Sequence, residues 1–390
     1  MIDKIIQQSR EERCRAEVSI SALRHNIATL REIIEPGTEI CAVVKANAYG
    51  HGAPIVAKIY EEEGISFFAV SCLSEAMELR QAGINSRILI LGPSPAEAAE
   101  YLYRYDIRQI VSSRAEAEAY LAKLPAASAV KQIKFHIKLD TGMSRYGFPV
   151  SHEDQLKQSI KEILSLRDLE AAYLEGIFTH FATASAADNR FFNIQKRRFN
   201  QCLRKLEEAG MHFPLVHCAN SAASVQHPHL RYNMVRCGVA LLGGIDGEYM
   251  RRNIDLHAAM TLKARLSDIR QIRAGDTVSY SGTYKAEQDM RIGVVEIGYA
   301  DGLMRSLSNK AIFALRGKKI RQIGNICMDR CMVDLSEVPE AEVGDYLTIY
   351  GGKGDNLIDV EEQAQRAGTI CYELFALISE RVPRIYVEND

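Results

Sequence analysis

The chain lacks paired cysteines, long apolar runs and any real charge imbalance, and each absence removes a class of protein. Its nine cysteines are an odd total, scattered, with no two at CxxC spacing. A disulfide framework needs paired spacing, so reduced thiols in a cytoplasmic protein fit better. Cys327 and Cys331 bracket "CMDRC", but no second Cys/His pair at zinc spacing accompanies them, and no metal is expected. No apolar stretch approaches the ~18 residues that span a bilayer. The opening "MIDKIIQQSREERCR" has neither a long apolar core nor a small-residue cleavage site. Residues 1–14 therefore read as a polar helical lead-in rather than an export signal. A net charge of -2 gives no electrostatic reason to expect nucleic acid or a membrane surface as partner. No repeat of 20–50 residues and no low-complexity linker is visible.

What is present is ordinary globular composition, 47% apolar and 25% charged, in 390 residues, enough for two domains or one barrel with an appendage. From 40 to about 245, short β-rich apolar runs alternate with amphipathic stretches. The runs are 40–46, 66–70, 87–92, 107–111, 133–140, 174–181, 214–219 and 234–244. Runs apolar on both faces suit parallel strands covered by helices. Eight such units predict an α/β fold, a (β/α)8 TIM-type barrel over 15–245. A doubly wound open sheet is the alternative, weakened by the lack of a GxGxxG after the first strand. Beyond about 250, alternating patterns punctuated by Gly and Asp predict a mostly β C-terminal domain over 246–390. The segment at 15–22 is a strand that could pack with this second domain.

In a barrel, chemistry gathers at the C-terminal ends of the strands. Those ends carry Lys45 and Tyr49 after the first run, and Lys138, Asp140 and Arg145 at the fifth. They carry His180 at the sixth, His217, Asn220 and Ser221 at the seventh, and Arg236, Gly238 and Val239 at the eighth. Any one of these could merely satisfy barrel hydrogen bonds, but the set is more polar than packing requires. A lysine at a buried strand end is costly unless paired or neutral. A neutral amine attacks a carbonyl, which suggests a Schiff base with either a substrate or pyridoxal phosphate (PLP). Small residues in "ANSAAS" and "RCGVALLGG" let backbone N–H groups approach a phosphate beside that lysine.

"AVVKANAYGHG" closely resembles the PLP-lysine signature of the alanine racemases, and the rest follows in order: "KLDTGMSRYGF", "FTHFATA", "HCANSAA", "VRCGVALLGG", "VSYSGTY", "IGYADG", "GNICMDRCMVDL" and "TICYE". The first motif alone is shared with related fold-type III decarboxylases. The ordered set is far more specific and runs from about residue 15 to 386. The resemblance implies a PLP-dependent racemase that interconverts L- and D-alanine, supplying D-alanine for peptidoglycan. It implies that Lys45 holds the cofactor and is one of two acid/base groups, the other being Tyr280. In the family that tyrosine comes from the partner subunit, so a homodimer with shared active sites is implied.

The resemblance also implies that Arg236 faces the pyridine nitrogen, supported by His217 and His180. Tyr49, Ser221, Gly238, Val239 and Tyr372 match phosphate-binding positions, and Asn220 belongs to the same cofactor-binding loop. Arg145 matches a residue near the substrate carboxylate, and Tyr299 and Met328 match substrate-side residues from the partner. Lys138 matches a lysine often carbamylated in relatives. An arginine at the pyridine nitrogen can only donate. It should leave that nitrogen unprotonated and favour reprotonation at the α-carbon, which suits a racemase.

Departures from the family pattern are Cys237, Leu242, Asn325 and Glu17. They put substrate breadth and the entrance in question, not the catalytic groups. Serine racemases of the same architecture, a PLP decarboxylase and a PLP carrier built on the barrel alone are the rivals. Arg236 and Tyr280 argue against the last two.

Overall fold

Each of the eight short runs between residues 39 and 237 forms a strand, because each can bury both of its faces. The computed structural model describes residues 11–124 and 132–388. The expected lead-in lies mostly outside them. A first strand, β1 (Cys14–Ser19), precedes the barrel. The barrel strands are β2 (Glu39–Val43), β3 (Phe67–Val70), β4 (Arg87–Ile90), β5 (Ile107–Val111), β6 (Ile133–Asp140), β8 (Ala172–Phe178), β9 (Leu215–His217) and β10 (Met234–Cys237). A two-residue strand, β7 (Phe148–Pro149), adds to β6. Neighbours are parallel in the order β10-β2-β3-β4-β5-β6-β8-β9. The ring closes just past β9, where the Arg236 N–H donates to the carbonyl of Ala219 at 2.9 Å.

The strand period decides which residues meet the site. On β2, Ile40 and Ala42 face the outer helices, while Cys41 and Val43 face inward with Phe67, Leu89, Ile110, Phe178, Leu215 and Met234. Five of the eight expected strands stop early. The 40–46 run ends at Val43, and the 234–244 run ends at Cys237 and becomes a 3-10 turn over Val239–Leu242. That turn is apolar because it is buried, so its composition imitates a strand. Gly243 ends it at φ +80°, where any Cβ would lie 1.8 Å from the carbonyl oxygen of His257.

The C-terminal domain is an eight-stranded sheet of β11 (Met260–Ile272), β14 (Met290–Val295), β15 (Ile312–Leu315), β16 (Lys318–Ile323), β17 (Cys331–Asp334), β18 (Tyr346–Tyr350) and β19 (Arg384–Val387), joined by β1. A hairpin of β12 (Thr277–Val278) and β13 (Tyr284–Lys285) stands beside it. β1 pairs antiparallel with β11 and parallel with β19, so the first strand of the chain belongs to the second sheet. Ser19 then caps the helix Ile20–Ile33, its Oγ accepting from the Ala22 N–H, and β1 cannot run on to residue 22. Glu17 is held between Arg15 at 2.9 Å and Lys263 at 2.7 Å.

The second core, around Leu262, Phe313, Leu347 and Phe375, also takes in Val239 and packs against Tyr49 and Tyr372. The C-terminal domain therefore sits against the strand ends of the barrel, and the site lies at that seam. Gly50 allows the approach, since a Cβ there would be 2.1 Å from the carbonyl oxygen of Phe375. All nine cysteines are free thiols. No described helix is long and apolar enough to cross a membrane.

Candidate active site at the barrel mouth

A cavity of about 190 Å3 opens at the seam and gathers Lys45, Tyr49, Lys138, Arg145, His180, Asn220, Ser221, Arg236, Gly238, Val239 and Tyr372. These residues come from six separated stretches of sequence. His217 is fully buried behind Arg236 rather than on the wall.

Lys45 leaves the barrel on an unusual turn. Ala46, Asn47, Ala48 and Tyr49 all have φ between 50° and 55°, a left-handed conformation that L-residues avoid. Specific bonds hold it. The Ala46 N–H donates to Glu75 Oε1 at 2.7 Å, and Asn47 Oδ1 accepts from the Ala53 N–H at 2.7 Å. Glu75 also accepts from the Ser71 N–H at 2.6 Å. Sequence reading passed over Glu75, whose role depends on a fold contact 29 residues away. Burial, then the charges of Arg145 and Arg236, push the Lys45 amine below its usual range, while Glu75 partly offsets them. A neutral amine is the reactive form.

Arg236 is buried and densely bonded. Nη1 donates to Nδ1 of His217 at 2.8 Å and to the carbonyl of His217 at 3.1 Å. Nη2 donates to the carbonyl of Thr179 at 2.9 Å and to Nδ1 of His180 at 3.1 Å. Nε has no protein acceptor among the described residues. Burial lowers the guanidinium to about 10, so it stays charged at neutral pH. The same burial, with Arg236 next, holds both imidazoles well below their usual range, so both rings are neutral acceptors at Nδ1. Phe178 stacks on His217 at 4.6 Å, interplanar angle 7°.

Lys138 is buried, with Nζ 4.8 Å from the Phe178 ring. Burial, then Arg236 and Arg145, keep its amine far below the ordinary lysine range. Arg145 reaches only the Tyr146 ring, 5.9 Å away, and no described carboxylate or carbonyl accepts from it. It is thus free to take an anion.

At the opposite end, Ser221 Oγ accepts from the Gly238 N–H at 3.1 Å. A Cβ on Gly238 would lie 2.5 Å from the Tyr49 hydroxyl, so only glycine leaves this corner open. The Tyr49 hydroxyl has no protein partner among the described residues. Asn220 caps the helix Ser221–Gln226, its Oδ1 accepting from the Ala223 N–H at 3.0 Å. The Tyr372 hydroxyl donates to Asp246 Oδ2 at 3.1 Å, a bond that a phosphate contact would have to share or replace. Asp246 was not singled out from the sequence, where nothing links it to Tyr372.

Tyr280, Tyr299 and Met328 lie outside this cavity, on the C-terminal domain, with 72%, 44% and 52% of their surfaces exposed. They sit on neighbouring loops. The Tyr299 N–H donates to the carbonyl of Cys327 at 3.0 Å, and Ser279 Oγ lies 3.3 Å from Cys327 Sγ. Asn325 supports the same region by donating from Nδ2 to the carbonyl of Tyr280 at 2.8 Å. Asn325, one of the departures, therefore holds the loop that carries Tyr280.

The donor set fits PLP. A lysine with a depressed pKa stands at one side, and a glycine-lined corner with an unpartnered tyrosine hydroxyl stands at another. Arg236 keeps one N–H, on Nε, for a ring nitrogen.

Comparison with known proteins agrees with this geometry. Residues 18–246 match the family described as alanine racemase, N-terminal domain, and residues 259–386 match alanine racemase, C-terminal domain. A protein of Desulfovibrio desulfuricans named alanine racemase is 39% identical over 373 residues, 96% of this chain and 98% of its own. One of Desulforamulus reducens is 40% identical over 382 residues, covering 95% and 98%. Among solved structures, alanine racemase of Clostridium difficile superposes with a TM-score of 0.89 at 36% identity, covering 97% and 96% of the two chains. That of Bacillus anthracis with bound L-Ala-P gives 0.88 at 36% identity, covering 96% and 95%.

Proposed function

The chain belongs to the alanine racemase family, and from that premise we propose that Lys45 and Tyr280 serve opposite faces of the substrate α-carbon, in sites that two copies of the chain complete together. Its reaction is the PLP-dependent interconversion of L- and D-alanine. Bound in this cavity, PLP supplies the electron sink that makes the α-proton removable.

The rest of the chemistry falls to the chain. Inverting a stereocentre needs a base on one face and an acid on the other. The cavity offers Lys45 for one face. The observation that carries the dimeric reading is that Tyr280 is exposed, outside the cavity, on a patch with Tyr299 and Met328. A tyrosine that must reach a buried carbon from there has to reach into another subunit. The patch would cover the partner's barrel mouth, exclude water and bring the hydroxyl to the far face. Arg145, free of protein acceptors, would take the substrate carboxylate. Tyr372, crowding the cavity, favours a methyl side chain over larger ones.

Tyr49, Ser221, Gly238 and Val239 would hold the phosphate, with Asn220 and Tyr372 shaping the same corner. Arg236 would donate through Nε to the pyridine nitrogen, with His217 and His180 fixing its plane. Lys138 would be carbamylated and orient Arg145. D-alanine supply for peptidoglycan in the cytoplasm is the role this activity suits. The test is proton NMR of the PLP-loaded protein in D2O with L-alanine and, separately, L-serine, followed by chiral analysis. Loss of the α-proton signal with equal D and L product, faster for alanine, is expected. Amine release, or no exchange, would defeat the reading.

A further inference from the structure

Behind Arg236 the barrel interior holds a polar chain of which only the first ring, His217, has been given a role above. Nε2 of His217 lies 2.9 Å from Nδ1 of His136. Nε2 of His136 lies 3.1 Å from Oε2 of Glu175. Glu175 in turn accepts from Arg108, from Nε at 3.0 Å and Nη2 at 3.3 Å. Arg108 also donates to Asp106 Oδ2 at 2.8 Å. His136, His217, Glu175, Arg108 and Arg236 are all buried. The chain thus runs from the start of β5 to the mouth of the barrel.

The backbone is built around it. β6 and β8 pair in register until Phe135 faces Leu174, and the next pair is His136 with Gly176. Glu175 is the extra residue of a bulge, the device that re-aims a side chain within a ladder. Gly176 then has to be glycine, because a Cβ there would lie 2.5 Å from Nδ1 of His136. A bulge and a cleared glycine side by side both serve the placement of one ring and one carboxylate.

We propose that Glu175 and His136 are positioning residues that fix the direction of the hydrogen bonds running from Glu175 through His217 to Arg236 and so help hold its guanidinium for the cofactor ring. The inference rests on the reading of Arg236 given above. A carboxylate can only accept, and a guanidinium can only donate. His136 must therefore carry its proton on Nε2, leaving Nδ1 to accept from His217. His217 must carry its own proton on Nε2, leaving Nδ1 to accept from Arg236. The two ends impose the same single arrangement, with one proton per link. Any added proton would set two N–H groups against each other. The arrangement also anchors Arg236 to a carboxylate through two neutral rings instead of directly. A carboxylate in contact would neutralise the guanidinium, whereas this spacing leaves its charge for the ligand.

The experiment is 15N NMR of histidine-labelled protein near neutral pH, with and without PLP, beside alanine racemisation. In the wild type His136 and His217 are expected as neutral rings protonated at Nε2. The double variant Arg108→Met/Glu175→Leu removes the acceptor without leaving Arg108 as an orphan charge. It should bind PLP, leave the His136 Nε2–H without its acceptor, read as a shift of that nitrogen's resonance, and lose at least about tenfold in kcat, the scale of a lost bond to a charged group. Glu175→Gln in an otherwise unchanged chain keeps an acceptor oxygen and should keep the His136 Nε2 resonance near its wild-type position. A wild-type His217 protonated at Nδ1, or charged, would overturn the proposal without any variant. So would a double variant with unchanged rings and full activity. Failure of the wild type to racemise alanine would instead strike the functional reading and leave the tautomer result to stand alone.

Discussion

Nδ1 of His217 lies 2.8 Å from Nη1 of Arg236, and since a guanidinium has no lone pair to offer, the imidazole is the acceptor. A second imidazole, His180, accepts from Nη2 at 3.1 Å. Two rings and three carbonyls thus fix the plane of one side chain. Lysine could not reproduce this, because an ammonium cannot span both rings. Arg236→Lys is expected to fold and bind PLP but lose about 10- to 100-fold in kcat, the scale of lost charged hydrogen bonds. Steady-state racemisation, with circular dichroism as the folding control, checks it.

Gly238 meets Tyr49 so closely that a methyl group has no room, its Cβ lying 2.5 Å from the hydroxyl and 3.1 Å from Cζ. Gly238→Ala should push the ring into the phosphate corner. PLP affinity is expected to fall by at least about tenfold, roughly 1.4 kcal/mol. Fluorescence titration of the apoprotein measures it, and unchanged affinity would remove Gly238 from the phosphate site.

Tyr280→Phe keeps the ring and removes the transferable proton. Cofactor binding should be unaffected, since Tyr280 is not on the cavity wall of its own chain. Racemisation should fall by about 10²- to 10⁴-fold, the contribution of one positioned acid/base group. α-Proton exchange from one enantiomer should survive better than from the other. Equal rates for both, near wild type, would contradict the two-base assignment.

Lys138 is held well below the lysine range by burial, then by Arg236 and Arg145. Its neutral amine can add CO2, forming a carbamate and releasing one proton. Protein supplied with 13C-bicarbonate should show a carbamate carbon that Lys138→Ala lacks. The stability effect has a definite sign. Between its lowered folded value and the ordinary ~10.4, the unfolded chain holds a proton that the folded chain does not, so stability rises with pH. In CO2-free buffer, Lys138→Met should therefore raise Tm more at about pH 6 than at about pH 9.5, by the same linkage. A gain that grew with pH would contradict it.

The eight parallel strands were legible because both faces of each are apolar, and the mouth of the barrel was legible because polar residues follow those runs. Strand ends were less so. Gly238–Leu242 is apolar through burial in a turn, and nothing local separates that from a strand. Lys45 was singled out from the sequence, but not the left-handed turn that carries it, since Ala46 and Ala48 give no sign of positive φ. Glu175, His136 and Arg108 were out of reach for a different reason. Their meeting depends on the register of three strands and on a bulge, and a lone buried histidine reads as core. The place of Tyr280 in another subunit's site came from resemblance to a family. Only the exposure of that side chain gives it physical support.

The central claim is that each active site draws Lys45 from one chain and Tyr280 from another, and subunit mixing tests it most directly. Lys45→Ala and Tyr280→Phe, each inactive alone, are combined in equal amounts, dissociated and allowed to reassociate. Random pairing makes half the dimers mixed, each with one intact site of two, so about a quarter of wild-type activity should return. No recovery, with mixed dimers demonstrated by mass, would place both bases in a single chain and contradict the account.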